Sequence, residues 1–134
     1  MPERSKQVRV RRKHLETWLQ ILGRAWEKAD AELVASLFDS DVSYQENPFE
    51  PPIHGAEAVR EYWLENLATQ REVRFWGHVL AVDGDIGVLN WKVEFIRTGS
   101  NQKVRLDGVS VGKFGAEGKP VLWREWWHKL EHNG

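Results

Sequence analysis

The chain has no cysteine. That absence excludes a disulfide framework, a thiol nucleophile and a thiolate metal site together. No apolar run is long enough to cross a bilayer. Residues 1–14, MPERSKQVRVRRKH, lack the apolar middle of a signal peptide, so the cytoplasm is the expected compartment. No repeat and no internal linker divides the 134 residues. One domain is therefore expected, and at this size it buries about 68–70% of its unfolded surface without a staple.

Charge is nearly balanced at −1, but it is unevenly spread. Residues 1–13 hold Arg4, Lys6, Arg9, Arg11, Arg12 and Lys13 against Glu3 alone, a net +5, which leaves −6 for the rest. A basic arm of this kind touches nucleic acid or an acidic surface in some proteins. Here no stacking aromatic and no nucleic-acid motif accompanies it, so a solvated, flexible terminus is the expectation and nucleic acid is not an expected partner.

What the chain has in excess is tryptophan, eight of them at 18, 26, 63, 76, 91, 123, 126 and 127. Each is a large apolar body with one N–H that needs a partner when buried. Such a set builds a bulky core, an aromatic interface or an aromatic-lined cavity, and composition does not choose among them.

Periodicity orders the chain. Leu15, Trp18, Leu19, Leu22, Ala25, Trp26 and Ala29 recur at helical spacing. Asp30 is placed to cap a second helix holding Leu33, Val34, Leu37 and Phe38. Val42 to Glu46 alternates like a short strand, the prolines of 47–52 demand a loop, and Gly55 opens a third helix with Val59, Tyr62, Trp63 and Leu67 on its apolar face. The period then changes to two. Strands are predicted over 72–82, 87–97, 103–114 and 121–130, with Asp83-Gly84-Asp85 as a strong hairpin signal. Three helices, a short strand and a four-stranded antiparallel meander give an α+β fold, with the domain at 14–130 and a tail at 131–134.

Three stretches carry a resemblance. DAELVASLFDSDVSYQENPFEPPIHGAEAVREYW is similar to the helix–strand–loop–helix segment of ketosteroid isomerases, LDGVSVGKFGAEGK to their next-to-last strand and turn, and REWWHK to the closing strand of SnoaL-like proteins. The chain thus resembles the nuclear transport factor 2-like superfamily over about residues 14–130. That resemblance implies three helices packed on a curved sheet around a cone-shaped cavity. It also implies a choice among cofactor-independent isomerases, lyases and cyclases, non-catalytic small-molecule binders and dimerisation domains.

Alternation and the resemblance together list the cavity residues. Trp26, Phe38 and Trp63 come from helices, Tyr44 from the short strand, and Phe75, Trp91, Val93, Trp123 and Trp127 from the meander. Apolar walls with a few placed polar groups suit a hydrophobic, ring-bearing small molecule. The resemblance puts Glu46 where the isomerases carry their general-base aspartate; a carboxylate among tryptophans is poorly solvated, which raises its pKa. A tethered structural carboxylate, paired with an arginine or a loop amide, is the other reading of Glu46. The isomerases' oxyanion-hole pair maps onto Leu22 and Ser110, so only the Ser110 hydroxyl remains as a donor, and the paired hole is missing. Glu125 is expected as a second inward carboxylate, an acid–base partner of Glu46 or else a salt-bridged residue. No metal and no cofactor is implied: His128-Lys129-Leu130-Glu131-His132 matches a metalloprotease pattern, but it trails off the last strand rather than lying on an interior helix. Trp76, His78, Arg124 and Trp126 alternate onto the opposite sheet face, where a homodimer contact is expected.

Overall fold

The computed structural model describes residues 8–132. The basic residues Arg4 and Lys6 of the expected arm, and the last two residues of the expected tail, lie outside the described residues. Val10, within the arm, is buried, and its N–H donates to the Gly84 carbonyl at 2.8 Å.

Helix α1 (Arg12–Glu27) starts earlier than its apolar stripe and buries Leu15, Trp18, Leu19, Leu22 and Trp26. Helix α2 (Ala31–Ser36) is capped as its sequence predicts: the Asp30 carboxylate accepts the Leu33 N–H at 3.0 Å. Strand β1 (Ser43–Gln45) follows, then β2 (Ile53–His54) and α3 (Ala56–Leu67). The meander is β3 (Gln70–Asp83), β4 (Ile86–Arg97), β5 (Lys103–Phe114) and β6 (Pro120–His132). The last strand therefore runs two residues into the expected tail.

The six strands lie in the order β2-β1-β6-β5-β4-β3. The meander is antiparallel throughout, while β1 pairs parallel to β6, with Tyr44 opposite Trp123. Strand β2 is too short for alternation to reveal. It exists because Ser43 pairs with His54, and because the Gly55 N–H donates to Val42 O at 2.8 Å. Pro51 and Pro52 end just before it, so their missing N–H groups interrupt no ladder.

The three helices cover the concave face of the sheet. Helix α1 crosses the outer strand β3 closely enough that a side chain on Gly23 would run into the Phe75 ring. The same helix satisfies groups on the open edge of β3: Glu27 accepts the Phe75 N–H at 3.0 Å and Arg12 donates to Val79 O at 3.1 Å. Across the floor runs a register row of alternating size, Gly77, Trp91, Gly108 and Trp127. Any Cβ on Gly108 would meet the Trp91 ring, so that glycine lets the indole lie flat over its neighbour strand. No helix among the described residues is long and apolar enough to cross a membrane.

Candidate functional site

The aromatic residues divide into two clusters. At one end Trp18, Phe38, Phe114 and Trp123 interlock, with ring centroids 5.1 Å apart for Trp18 and Trp123 and 5.3 Å for Phe38 and Trp123. This end is closed: all four residues are buried, and the Trp18 N–H donates to Leu37 O at 2.9 Å. Phe38 and Trp123, two of the predicted cavity residues, form this solid core rather than lining a cavity.

At the other end lies a cavity of about 120 Å³. Trp26 and Trp63 meet edge to face at 4.7 Å, and Trp26 approaches Trp91 at 5.5 Å. Phe95 and Leu106 complete the apolar wall, while Tyr44, Tyr62, Glu125 and Trp127 also face the space. Asn66, Gln70, Arg97 and Lys129 lie on the same lining. Phe75 packs behind Trp26 at 5.8 Å, Val93 is wholly buried in the floor, and neither lines this cavity. Trp127 is 38% exposed and stands at the open side.

Glu125 is the buried carboxyl, 8% exposed. It faces inward because β6 alternates Trp123, Glu125 and Trp127 on the concave side, opposite Ser110 of β5. The Tyr44 hydroxyl donates to its Oε1 at 3.0 Å and the Trp123 indole to its Oε2 at 3.3 Å. Burial raises its pKa to about 7; the two donors pull the value down and the nearby charge of Glu46 pushes it up. Desolvation together with the Glu125 charge likewise lifts the Tyr44 phenol well above its ordinary range.

Glu46 is half-buried and does not line the cavity. Its Oε2 accepts the Tyr62 hydroxyl at 2.8 Å. Tyr62 lies 5.7 Å from Tyr44 between ring centroids, so each carboxyl carries one tyrosine and the two tyrosines stand side by side. Burial and then the charge of Glu125 raise the Tyr62 pKa, which keeps it a neutral donor. Ser110 is fully buried and accepts the Trp91 N–H at 2.8 Å, so its hydroxyl oxygen fixes the Trp91 ring from behind.

Trp63 holds the one buried side-chain donor without a hydrogen-bond partner among the described residues. Its N–H is on the Tyr44 side, close enough to lower the phenol's pKa but without hydrogen-bond geometry to it. Two further indoles of the cavity wall are occupied: Trp26 donates to Gln70 Oε1 at 2.8 Å and Trp91 to Ser110. An unpaired buried N–H costs roughly 1–3 kcal/mol, and a ligand oxygen would recover it.

The structure thus brings Trp26, Tyr44, Trp63, Trp91, Trp127 and Glu125 together around one space. Tyr62, Asn66, Gln70, Arg97 and Lys129 were not singled out from sequence. The β6 alternation extended two residues beyond Trp127 points to Lys129, and the helix stripe that holds Trp63 also holds Tyr62. No group of three or more histidine, aspartate or glutamate side chains among the described residues is arranged to hold a metal ion. The H-x-x-E-H stretch is strand, with His128 exposed.

A family model for the SnoaL-like domain matches residues 18–123. Among solved structures, the epoxide hydrolase/cyclase-like enzyme SalBIII, described for its role in pyran ring formation in polyether salinomycin, is 20% identical over 87% of this chain and 88% of its own, with a TM-score of 0.70. A type 2 hexachlorocyclohexane dehydrochlorinase, LinA, is 14% identical over 92% of this chain and 89% of its own, with a TM-score of 0.75. A computationally designed 17-OHP binder is 21% identical over 89% of this chain and 97% of its own, with a TM-score of 0.73. At these identities the likeness is one of fold, the α+β architecture of a curved, unclosed sheet under three helices.

Proposed function

The chain belongs to the SnoaL-like domain family, and from that premise we propose that it is a cofactor-independent isomerase, lyase or cyclase acting on a hydrophobic, ring-bearing small molecule. One observation carries the reading: Glu125, a carboxyl with a pKa of about 7, faces a cavity walled by indoles. A general acid or base works best when its pKa lies near the operating pH. The cavity's 120 Å³ is close to the volume of about 150 Å³ that admits one benzene ring, so a single ring or a ring-sized part of a larger molecule is what enters.

The roles follow from position. Glu125 takes a proton from a carbon next to an oxygen-bearing carbon, and the Trp63 N–H receives the negative charge that develops on that oxygen. The proton returns at another carbon in an isomerisation; in an elimination or a ring closure, the bond to the leaving group breaks or the new ring bond forms. Tyr44 holds Glu125 in place, Glu46 tunes it by charge across Tyr62, and Ser110 acts through Trp91. Likenesses to a cyclase-like enzyme and a dehydrochlorinase agree with this class of chemistry.

Glu46 as the general base is the second reading, favoured by the Tyr62 bond that orients its carboxylate beside the cavity. Kinetics of the two Gln variants separate the assignments. The residue that moves the proton loses about two to four orders of magnitude in turnover on substitution, and the other loses far less. The screen uses ring compounds bearing ketone, ester, epoxide or halide groups. Turnover that follows a group titrating near 7, and that Glu125→Gln abolishes, supports the enzyme. Binding without turnover by any member makes the protein a non-catalytic binder with the same cavity.

A homodimer through the convex sheet face is part of the same proposal. Trp76 and Trp126 are each 43% exposed there, and each carries an arginine over its ring, Arg74 at 5.4 Å and Arg124 at 5.1 Å. Exposed aromatic patches on a sheet whose other face forms the core favour association.

A further inference from the structure

Strand alternation continues beyond the cavity to its open side. After Trp127, β6 turns Lys129 and Glu131 to the concave face, while β4 ends with Arg97 on that face after Phe95. Arg97 and Lys129 both line the cavity. They share one carboxylate oxygen: Glu131 Oε1 lies 3.4 Å from an Arg97 guanidinium nitrogen and 3.3 Å from the Lys129 ammonium.

This arrangement is short of negative charge. Two cations meet one carboxylate, which leaves an excess of one positive charge at the rim of an apolar space. Both contacts are long and all three side chains are about one-third to one-half exposed, so the bridge contributes at most about 1 kcal/mol and exchanges readily. The Arg97 guanidinium carbon also lies over the Phe95 ring, 5.4 Å from its centroid, a second contact at the rim that does not involve Glu131. The remaining charged group on the cavity lining, Glu125, lies four residues away along β6, about 13 Å between Cα positions for an extended strand. A ring therefore fits between Glu125 and the cation pair.

We propose that Arg97 and Lys129 are a carboxylate-binding rim, that Glu131 is a built-in placeholder for that carboxylate, and that the cavity's ligand is a ring-bearing carboxylic acid. The proposal rests on the ring-binding reading of the cavity and adds to it the chemical class of the ligand. The ring lies against Trp26, Trp63 and Trp91, and the acid group displaces Glu131 from the two cations. A second oxygen gives the arginine fork the two-point contact that the shared Glu131 oxygen does not supply.

The test compares phenylacetate with phenylacetamide, which have the same shape and differ in charge. Binding is read by calorimetry and by quenching of tryptophan emission at low salt. Phenylacetate should bind about tenfold tighter than the amide, as one additional charge-assisted contact provides. In the Arg97→Gln/Lys129→Gln double variant the preference should vanish while amide binding stays. Glu131→Gln, which removes the competing carboxylate, should tighten phenylacetate and leave the amide unmoved. Should the double variant not fold, Lys129→Gln alone should still narrow the preference. Equal binding of acid and amide by the native protein overturns the carboxylate rim and leaves the ring site standing, as does a preference that survives the double variant. If neither probe binds, the ring site itself fails and the rim falls with it.

Discussion

The two aromatic clusters use the same residue types to opposite ends. Around Trp18 every ring is packed, and its N–H has a carbonyl partner. Around Trp63 the rings border an open space, one N–H has no partner, and a carboxyl is held where water is scarce. Trp123 joins the two: its ring belongs to the closed cluster and its N–H reaches Glu125. A cluster selected for stability satisfies each polar atom, whereas a cluster arranged for a ligand leaves some unsatisfied. On that contrast the open cluster is the proposed site and the closed one its foundation.

The largest effect should come from the closed end. Trp18→Ala should lower unfolding free energy by about 3–5 kcal/mol in a urea titration, the usual cost of removing a large core ring. Phenylalanine substitutions sharpen the comparison. Trp18→Phe strips the Leu37 carbonyl of its partner and should cost about 1–3 kcal/mol for that group. Trp63→Phe removes an N–H that already lacks one, so stability should hold or rise while affinity for a ring ligand with an acceptor oxygen falls. Equal losses in the two variants would erase the distinction between the clusters.

Next in size is the pH dependence contributed by Glu125. Its pKa in the folded protein is about 7, above the value of 4.5 for an unperturbed glutamate. The folded state therefore holds a proton that the unfolded state has released between those values. Stability from this group is fully present below about pH 4.5 and is lost as pH rises through about 7, a fall of about 3 kcal/mol at 1.36 kcal/mol per pKa unit. Glu125→Gln should remove that fall, so that the variant exceeds the native protein in stability above pH 7. Thermal melts from pH 5 to 8 read both slopes, and a Gln variant with the native slope would contradict the assignment.

Much of this was legible in the sequence, and the exceptions have physical causes. Helical and strand periodicities located the three helices and the four long strands, because each element buries one face. The same rule grouped Trp123, Glu125 and Trp127 on one face of the last strand, and the resemblance to the isomerases chose that face as the inward one. Strand β2 was not legible, since two residues cannot show a period and its pairing with Ser43 is a tertiary event. Nor was the division of the aromatic list into a solid end and a hollow end, because alternation tells which face a ring takes but not whether its neighbours fill the space. Tyr62 escaped for a related reason: a tyrosine on an apolar helix stripe looks like core until its hydroxyl is seen on Glu46.

Smaller effects are expected at the margins of the site and on the opposite face. Glu46→Gln removes the charge that helps to raise the Glu125 pKa, so the Glu125 titration should move down toward the ordinary carboxylate range. An unmoved titration would show that the two carboxyls do not communicate. On the convex face, Trp126→Ser should leave subunit stability within about 0.5 kcal/mol, as surface changes do, while light scattering moves from dimer to monomer mass. A native protein that scatters as a monomer at micromolar concentration removes the dimer from the account.

The most direct test is the titration of Glu125 itself, followed by carbon-detected NMR of its side-chain carboxyl in the native protein, with Glu125→Gln to assign the signal. The expected midpoint is near 7, because burial among the rings outweighs the Tyr44 and Trp123 donors. A midpoint in the ordinary range, near 4.5, would mean that the carboxyl is well solvated or fully paired, and the open cluster would then hold no acid–base group poised for chemistry.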